Sequence, residues 1–148
     1  MSDSQAESIH ASAVLVGARA VLIRGPSGSG KSHLAWRLLC SGLPFVRLVS
    51  DDRAFVAPSH GRLLVRPPDK LAGLLELRGL GLRRLPYEAM AMVGMVVDLN
   101  DPLAERMPAW PAQMVEIAGI KVPRLGIAAG SDAFGLVIAA FHTKPAVF

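Results

Sequence analysis

Eight consecutive residues, Gly25-Pro26-Ser27-Gly28-Ser29-Gly30-Lys31-Ser32, meet the spacing G-x-x-x-x-G-K-[ST], in which a backbone turn cradles the phosphates of a nucleotide. Gly25, Gly28 and Gly30 permit the angles that point successive N–H groups inward, and the loop opens a helix whose N-terminal dipole favours an anion. Lys31 would reach the β- and γ-phosphates, and the Ser32 hydroxyl would be a ligand of Mg²⁺ bridging them. The apolar run Ala20-Val21-Leu22-Ile23 before the loop and the helix-like segment after it supply the strand-loop-helix context that the motif requires.

Such a loop needs carboxylates, to complete the magnesium site and to take the proton of the attacking group. Three positions offer them: Asp51-Asp52 at the end of FVRLVS, Glu76 in LELRGLG, and Asp98 after Met95-Val96-Val97. Adjacent side chains of a strand point to opposite faces, so one of Asp51 and Asp52 faces the phosphate, and the sequence leaves open which. Capping a turn is the structural use of such a pair. Asp98 fits a metal role and a strand-end turn equally, since Asn100, Asp101 and Pro102 follow it.

The elements that must position these groups are short. Residues 12–16 and 20–24 read as a hairpin, and 31–41 as a helix with Leu34, Leu38, Leu39 and Cys40 on its apolar side. Residues 45–50 read as a strand beside the one that feeds the phosphate loop, which would deliver Asp51-Asp52 to the C-terminal edge of the sheet, where α/β proteins bind ligands. Further strands are expected at 54–57, 62–66, 74–78, 93–99, 114–118 and 121–127, with a loop marked by Pro102, Pro108 and Pro111 between residues 100 and 112, and a last helix over 132–142. The expectation is an α/β domain with a mixed, β-rich sheet and few helices, unlike a small-molecule kinase that alternates strands and helices throughout and carries an Arg-rich lid.

The chain has 148 residues, 51% of them hydrophobic and 19% charged, and reads as a flexible polar tail at 1–9 followed by one domain at 10–148. Its net charge of +4 is scattered, with no basic stripe for nucleic acid. The single cysteine, Cys40, excludes an internal disulfide and a cysteine-based zinc site, and is expected to be buried. The N-terminus lacks the apolar core of a signal peptide and no apolar run spans a bilayer, so a cytoplasmic protein without a membrane partner is expected. His33, His60 and His142 read as surface or packing residues, and Trp36, Trp110 and the group Met90, Met92, Met95 as core or gap-filling residues.

GPSGSGKS, VSDD and LELRGLGL, in this order, resemble the catalytic domain of the HPr kinase/phosphorylase family, enzymes that act on a seryl hydroxyl of the phosphocarrier HPr and its relatives. The resemblance runs from about His10 to about Ile138 and implies a P-loop-containing, PEP carboxykinase-like fold. It implies catalytic roles for His10, Lys31, Asp52 as proton acceptor, and Arg106. It further implies Ser32 and Glu76 as magnesium ligands, with Asp51, Arg78, Gly79 and Gly81 in support. ATP and Mg²⁺, an HPr-like partner and a homo-oligomer, a hexamer, come with it. Two departures accompany it. The family's N-terminal domain has no counterpart, so a short form consisting of the kinase domain is expected. The family's Gly-Arg-Asn loop, associated with removing phosphate, reads Gly130-Ser131-Asp132, so reverse phosphorylase activity lacks its arginine. The alternatives are an ATP-binding regulatory module without turnover and a small-molecule P-loop kinase.

Overall fold

Short apolar runs separated by glycine and proline fold into eleven strands and two α-helices among the residues that the computed structural model describes, 6–109 and 113–146. The hairpin β2 (Ala11–Val16) and β3 (Arg19–Arg24) is centred on a turn at Gly17, whose φ of 64° suits glycine. On the far side of β3 lies β9 (Ala91–Asp98), parallel to it, and on the far side of β2 lies β4 (Val46–Ser50), antiparallel. The first residues of β9 pair with β6 (Arg62–Arg66), then β5 (Ala54–Ser59) and β1 (Glu7–Ile9) follow outward. The last residues of β9 pair instead with β11 (Ile120–Gly126), which carries β10 (Met114–Ile117). A separate ribbon is made by β7 (Leu74–Leu77) and β8 (Gly81–Arg84).

Alternation along β3 explains why Ala20 to Ile23 are all apolar. Ala20 and Leu22 join one buried cluster, with Val56 and Val65 of β5 and β6 and Ile117 and Val122 of β10 and β11. Val21 and Ile23 join the other, with Leu34, Ala35 and Leu38 of α1 (Lys31–Leu39) and Val137 of α2 (Ala133–His142). A strand buried on both faces needs no polar positions. Each fully buried leucine of this kind stabilises the fold by about 1.5–3 kcal/mol, so the helix carrying the phosphate loop is held down mainly by Leu34 and Leu38.

The mixed, β-rich α/β domain with few helices is what the chain forms, while several local expectations are corrected. Residues 1–9 are not all tail, because Glu7–Ile9 pairs with β5 as an edge strand. The strand expected at 45–50 lies beside β2, not beside β3; since β2 is antiparallel to both, β4 and β3 still end at the same edge. The helix stops at Leu39, and Cys40 caps it and is exposed. Two residues of helix turn the chain by about 200°, so both Trp36 and Cys40 face away from the side buried by Leu38. Trp36 and Met90 are exposed, while Met92 and Met95 are half-buried. Trp110 and Pro111 lie outside the described residues.

At the edge where β3, β9 and β11 end, charge ties the strands together. Arg24 donates to both oxygens of Asp98, Nε to Oδ1 at 2.7 Å and Nη2 to Oδ2 at 2.9 Å. Arg124 donates from Nε to Asp98 Oδ2 at 2.6 Å and from Nη2 to Asp101 Oδ2 at 2.5 Å, and the N–H of Leu103 donates to Asp101 Oδ1. Asp98 therefore serves as a strand-end tie directly behind the phosphate loop. The hydrogen bond from Arg124, then that from the Leu103 N–H, hold the Asp101 carboxyl below the ordinary aspartate value of 3.8, against the opposing effect of burial.

Arg124→Met strips a partner from two largely buried carboxylates and is expected to lower stability by about 1–3 kcal/mol, read as a lower urea midpoint. Asp101 binds protons less readily folded than unfolded, so its contribution is full above the ordinary value of 3.8 and is lost as pH falls through the lower folded value. The gap between wild type and Arg124→Met should narrow in acid; a gap that stays constant from neutral to strongly acidic pH would contradict this.

Candidate active site

The phosphate loop leaves β3 at Arg24 and enters α1 at Lys31. Gly28 and Gly30 have φ of 81° and 97°, and Gly30 is the N-cap of α1, a position where a side chain would strain the backbone. Gly25 is favoured for another reason, close packing. A Cβ there would come within 2.5 Å of Ser29 Oγ and 3.1 Å of Leu99 Cβ. Lys31 is 6% exposed, and its ammonium donates to the carbonyls of Gly25 at 3.0 Å and Pro26 at 3.2 Å. The positive charge is thus held at the loop itself, where an anion would be cradled.

Asp51, 7% exposed, is bound by three elements. Its Oδ1 accepts from Ser12 Oγ of β2 and from Ser32 Oγ of α1, each at 2.7 Å, and its Oδ2 accepts from the backbone N–H of Glu76 in β7 at 3.2 Å. Asp52, next to it, does the opposite. Its φ of 67° and the Arg53 N–H donation to the Asp51 carbonyl at 2.8 Å form a tight three-residue turn that presents its side chain to the open cavity. Ser12 Oγ accepts from the Asp52 N–H at 3.1 Å, and Asp52 Oδ1 meets His10 Nε2 at 2.7 Å. The two side chains are thus set apart by this turn: Asp51 is tied into the three surrounding elements, and Asp52 faces the cavity.

The cavity measures about 720 Å³. Lys31, Ser32, Asp52 and Glu76 line it from the loop, α1, the β4 end and β7. The β7–β8 ribbon closes its other side with Leu77, Arg78 and Leu80. Gly79 and Gly81, both at φ 87°, make the ribbon's tight turn, and Arg78 reaches across to within 3.9 Å of where a Cβ on Gly28 would stand. Trp36, expected in the core, and His33, expected at the surface or in packing, form part of the wall. Ser12 was missed altogether, hidden in an apolar run.

Two sequence candidates stand apart. Arg106 is exposed in the segment after β9 and is not part of the cavity lining, and Asp98 is taken by Arg24 and Arg124. Gly130-Ser131-Asp132 leads into α2, which the Asp132 carboxylate caps by accepting from the Gly135 N–H at 2.9 Å. Among the described residues no cluster of three His, Cys, Asp or Glu side chains forms a metal cage. What the cavity offers is hard oxygen, from Ser32, Asp52 and Glu76. That set fits Mg²⁺, which keeps several waters and takes only one or two protein carboxylates beside substrate phosphates.

The family model described as HPr Serine kinase C-terminal domain matches residues 2–141. The HPr kinase/phosphorylase of Streptococcus thermophilus is 36% identical over 132 residues, 81% of this chain and 41% of that protein, and that of Enterococcus faecalis gives the same figures. That of Clostridium beijerinckii is 40% identical over 74 residues, covering 50% of this chain and 24% of that protein. The chain thus spans about two fifths of the length of the first two. The solved structure of the HPr(Ser) kinase/phosphatase from Coxiella burnetii superposes with a TM-score of 0.75 at 24% identity, covering 92% of this chain and 94% of that one, and shares its fold.

The positive φ at Asp52 yields a test of the turn. Asp52→Gly should be more stable than Asp52→Ala by about 1 kcal/mol in urea unfolding, because only glycine adopts this conformation without strain. Equal stability of the two variants would mean that the turn is not strained as described.

Proposed function

The chain belongs to the HPr serine kinase C-terminal domain family, and on that premise we propose that it is an ATP-dependent protein serine kinase acting on an HPr-like phosphocarrier. The observation that carries the reading is the pairing, in one cavity, of a phosphate-loop lysine with an exposed aspartate held on a separate anchor. ATP lies with its phosphates along Gly25 to Ser32. Asp52 accepts the proton of the seryl hydroxyl as that oxygen forms its bond to the γ-phosphorus and the bond to the β-phosphate oxygen breaks, leaving ADP. His10, on the far side of the Asp52 carboxylate, holds it in line. Lys31 and Arg78 neutralise charge on the transferred group.

Mg²⁺, when bound, screens the phosphate charge, and Ser32 and Glu76 are the residues that would hold it. Catalysis is then positioning and electrostatics, as phosphoryl transfer demands. Arg106 enters this reading only if the segment that carries it moves toward the cavity. The forward direction is the one these residues support. The same premise makes the assembly a homo-oligomer, hexameric as in the family, and the compartment the cytoplasm; no helix among the described residues is long and apolar enough to cross a membrane. An exposed tryptophan and the exposed Leu80 at the cavity rim suit a protein segment better than a small polar acceptor.

Transfer of labelled γ-phosphate from Mg-ATP to purified HPr-type carriers tests the proposal. Phosphoserine should form, and Asp52→Ala should slow it roughly 10²–10⁴-fold, the usual contribution of a general base, while leaving ATP binding nearly intact. Lys31→Ala should abolish it. ATP binding without phosphoserine on any carrier, or full activity in Asp52→Ala, would overturn the proposal in favour of a binding module.

A further inference from the structure

The reacting end of the nucleotide is marked by its carboxylates. Asp52 and Glu76 both line the larger cavity, so the terminal phosphate points there, and the rest of the nucleotide must leave the phosphate cradle by another way. A second cavity of about 260 Å³ opens at the same place. It shares Gly30 and His33 with the larger one, so the two meet at the first turn of α1.

Its walls have a different chemistry. Leu34 and Leu99 line part of it, and at another part the Arg37 guanidinium stacks over the Phe134 ring, 4.2 Å from its centroid. Phe134 stands in the first turn of α2, which Asp132 fixes by its cap. Ser29 also lines the cavity, and its Oγ is buried with no hydrogen-bond partner among the described residues. An aromatic ring stacked with a guanidinium, a spare hydroxyl and a rim carrying Ser131 and Asp132 suit a heteroaromatic ring with polar edges better than a further phosphate, which the Asp132 carboxylate would repel.

We infer that this second cavity is the nucleoside subsite, with the base stacked against the Arg37–Phe134 wall and Ser29 Oγ donating to the adjoining phosphate or ribose. The inference rests on the kinase reading and adds to it the residues that tell a nucleotide from bare phosphates. The triphosphate then runs along the loop from one cavity to the other, over Gly30.

The test measures, by calorimetry on the full chain, the affinities of Mg-ATP and of inorganic pyrophosphate for wild type, Arg37→Met and Phe134→Leu. The subsite predicts that each variant loses roughly tenfold or more in ATP affinity, the scale of one base-stacking contact, with pyrophosphate affinity unchanged. Retained pyrophosphate binding also reports that the loop is folded. Unchanged ATP affinity in both variants, or an equal loss for both ligands, overturns the subsite while leaving the kinase reading intact. An ATP defect confined to Trp36→Leu would place the base in the larger cavity and overturn it equally. Wild type that binds neither ligand would overturn the phosphate-loop reading itself, and the subsite with it.

Discussion

The carboxylate of Asp51 is the point on which the site depends. Three segments that are distant in sequence converge on it: Ser12 in β2, Ser32 in α1 and the Glu76 amide in β7. Inside the protein each of these hydrogen bonds is strengthened by the low local dielectric, and each is costly to leave unmade. The consequence is geometrical. The hydroxyl at the end of the phosphate loop, the β7–β8 ribbon and the strand hairpin are held at fixed separations, and Asp52, one residue further on, is left to face outward. Two adjacent aspartates thereby acquire different tasks from their surroundings alone.

The sheet makes that convergence possible. Because β2 is antiparallel to both β3 and β4, the strand feeding the loop and the strand carrying the aspartates end at one edge. Asp98 at the end of β9 reaches the same edge, where Arg24 and Arg124 occupy it. Acidic groups at this edge thus divide into one that braces the loop from behind, one that anchors it from the side, and one that faces the cavity. The apolar cluster beneath α1 holds the helix to which the loop belongs.

Much of this was legible in the sequence because the relevant signals are local. The phosphate loop and its flanks, the aspartate pair at a strand end and the glycine-bounded ribbon of LELRGLG are contiguous, and each imposes its own backbone conformation. His10 was implied only by resemblance, and its place beside Asp52 follows from pairing between β1 and β5 that brings the N-terminal segment across. What was not legible depends on pairing over long separations. Ser12 sits in a run that reads as apolar core, and nothing local distinguishes its hydroxyl from a turn former. Arg24 and Arg124 lie far along the chain from Asp98, so the tie that removes Asp98 from metal duty has no spacing to betray it. Trp36 and Cys40 look like core in sequence because both are apolar beside Leu38, although the helix turns them away from it, and Glu7–Ile9 looks like tail because a polar edge strand has the composition of one.

The claim that the site is one unit centred on Asp51 is tested most directly by a double-mutant cycle of Ser12→Ala and Asp51→Ala, read by urea unfolding. A shared hydrogen-bonded network predicts a coupling free energy of about 0.5–3 kcal/mol between the two positions. Effects that add to within about 0.3–0.5 kcal/mol would mean that Ser12 and Asp51 act separately, and the account of how Asp52 is placed would fail.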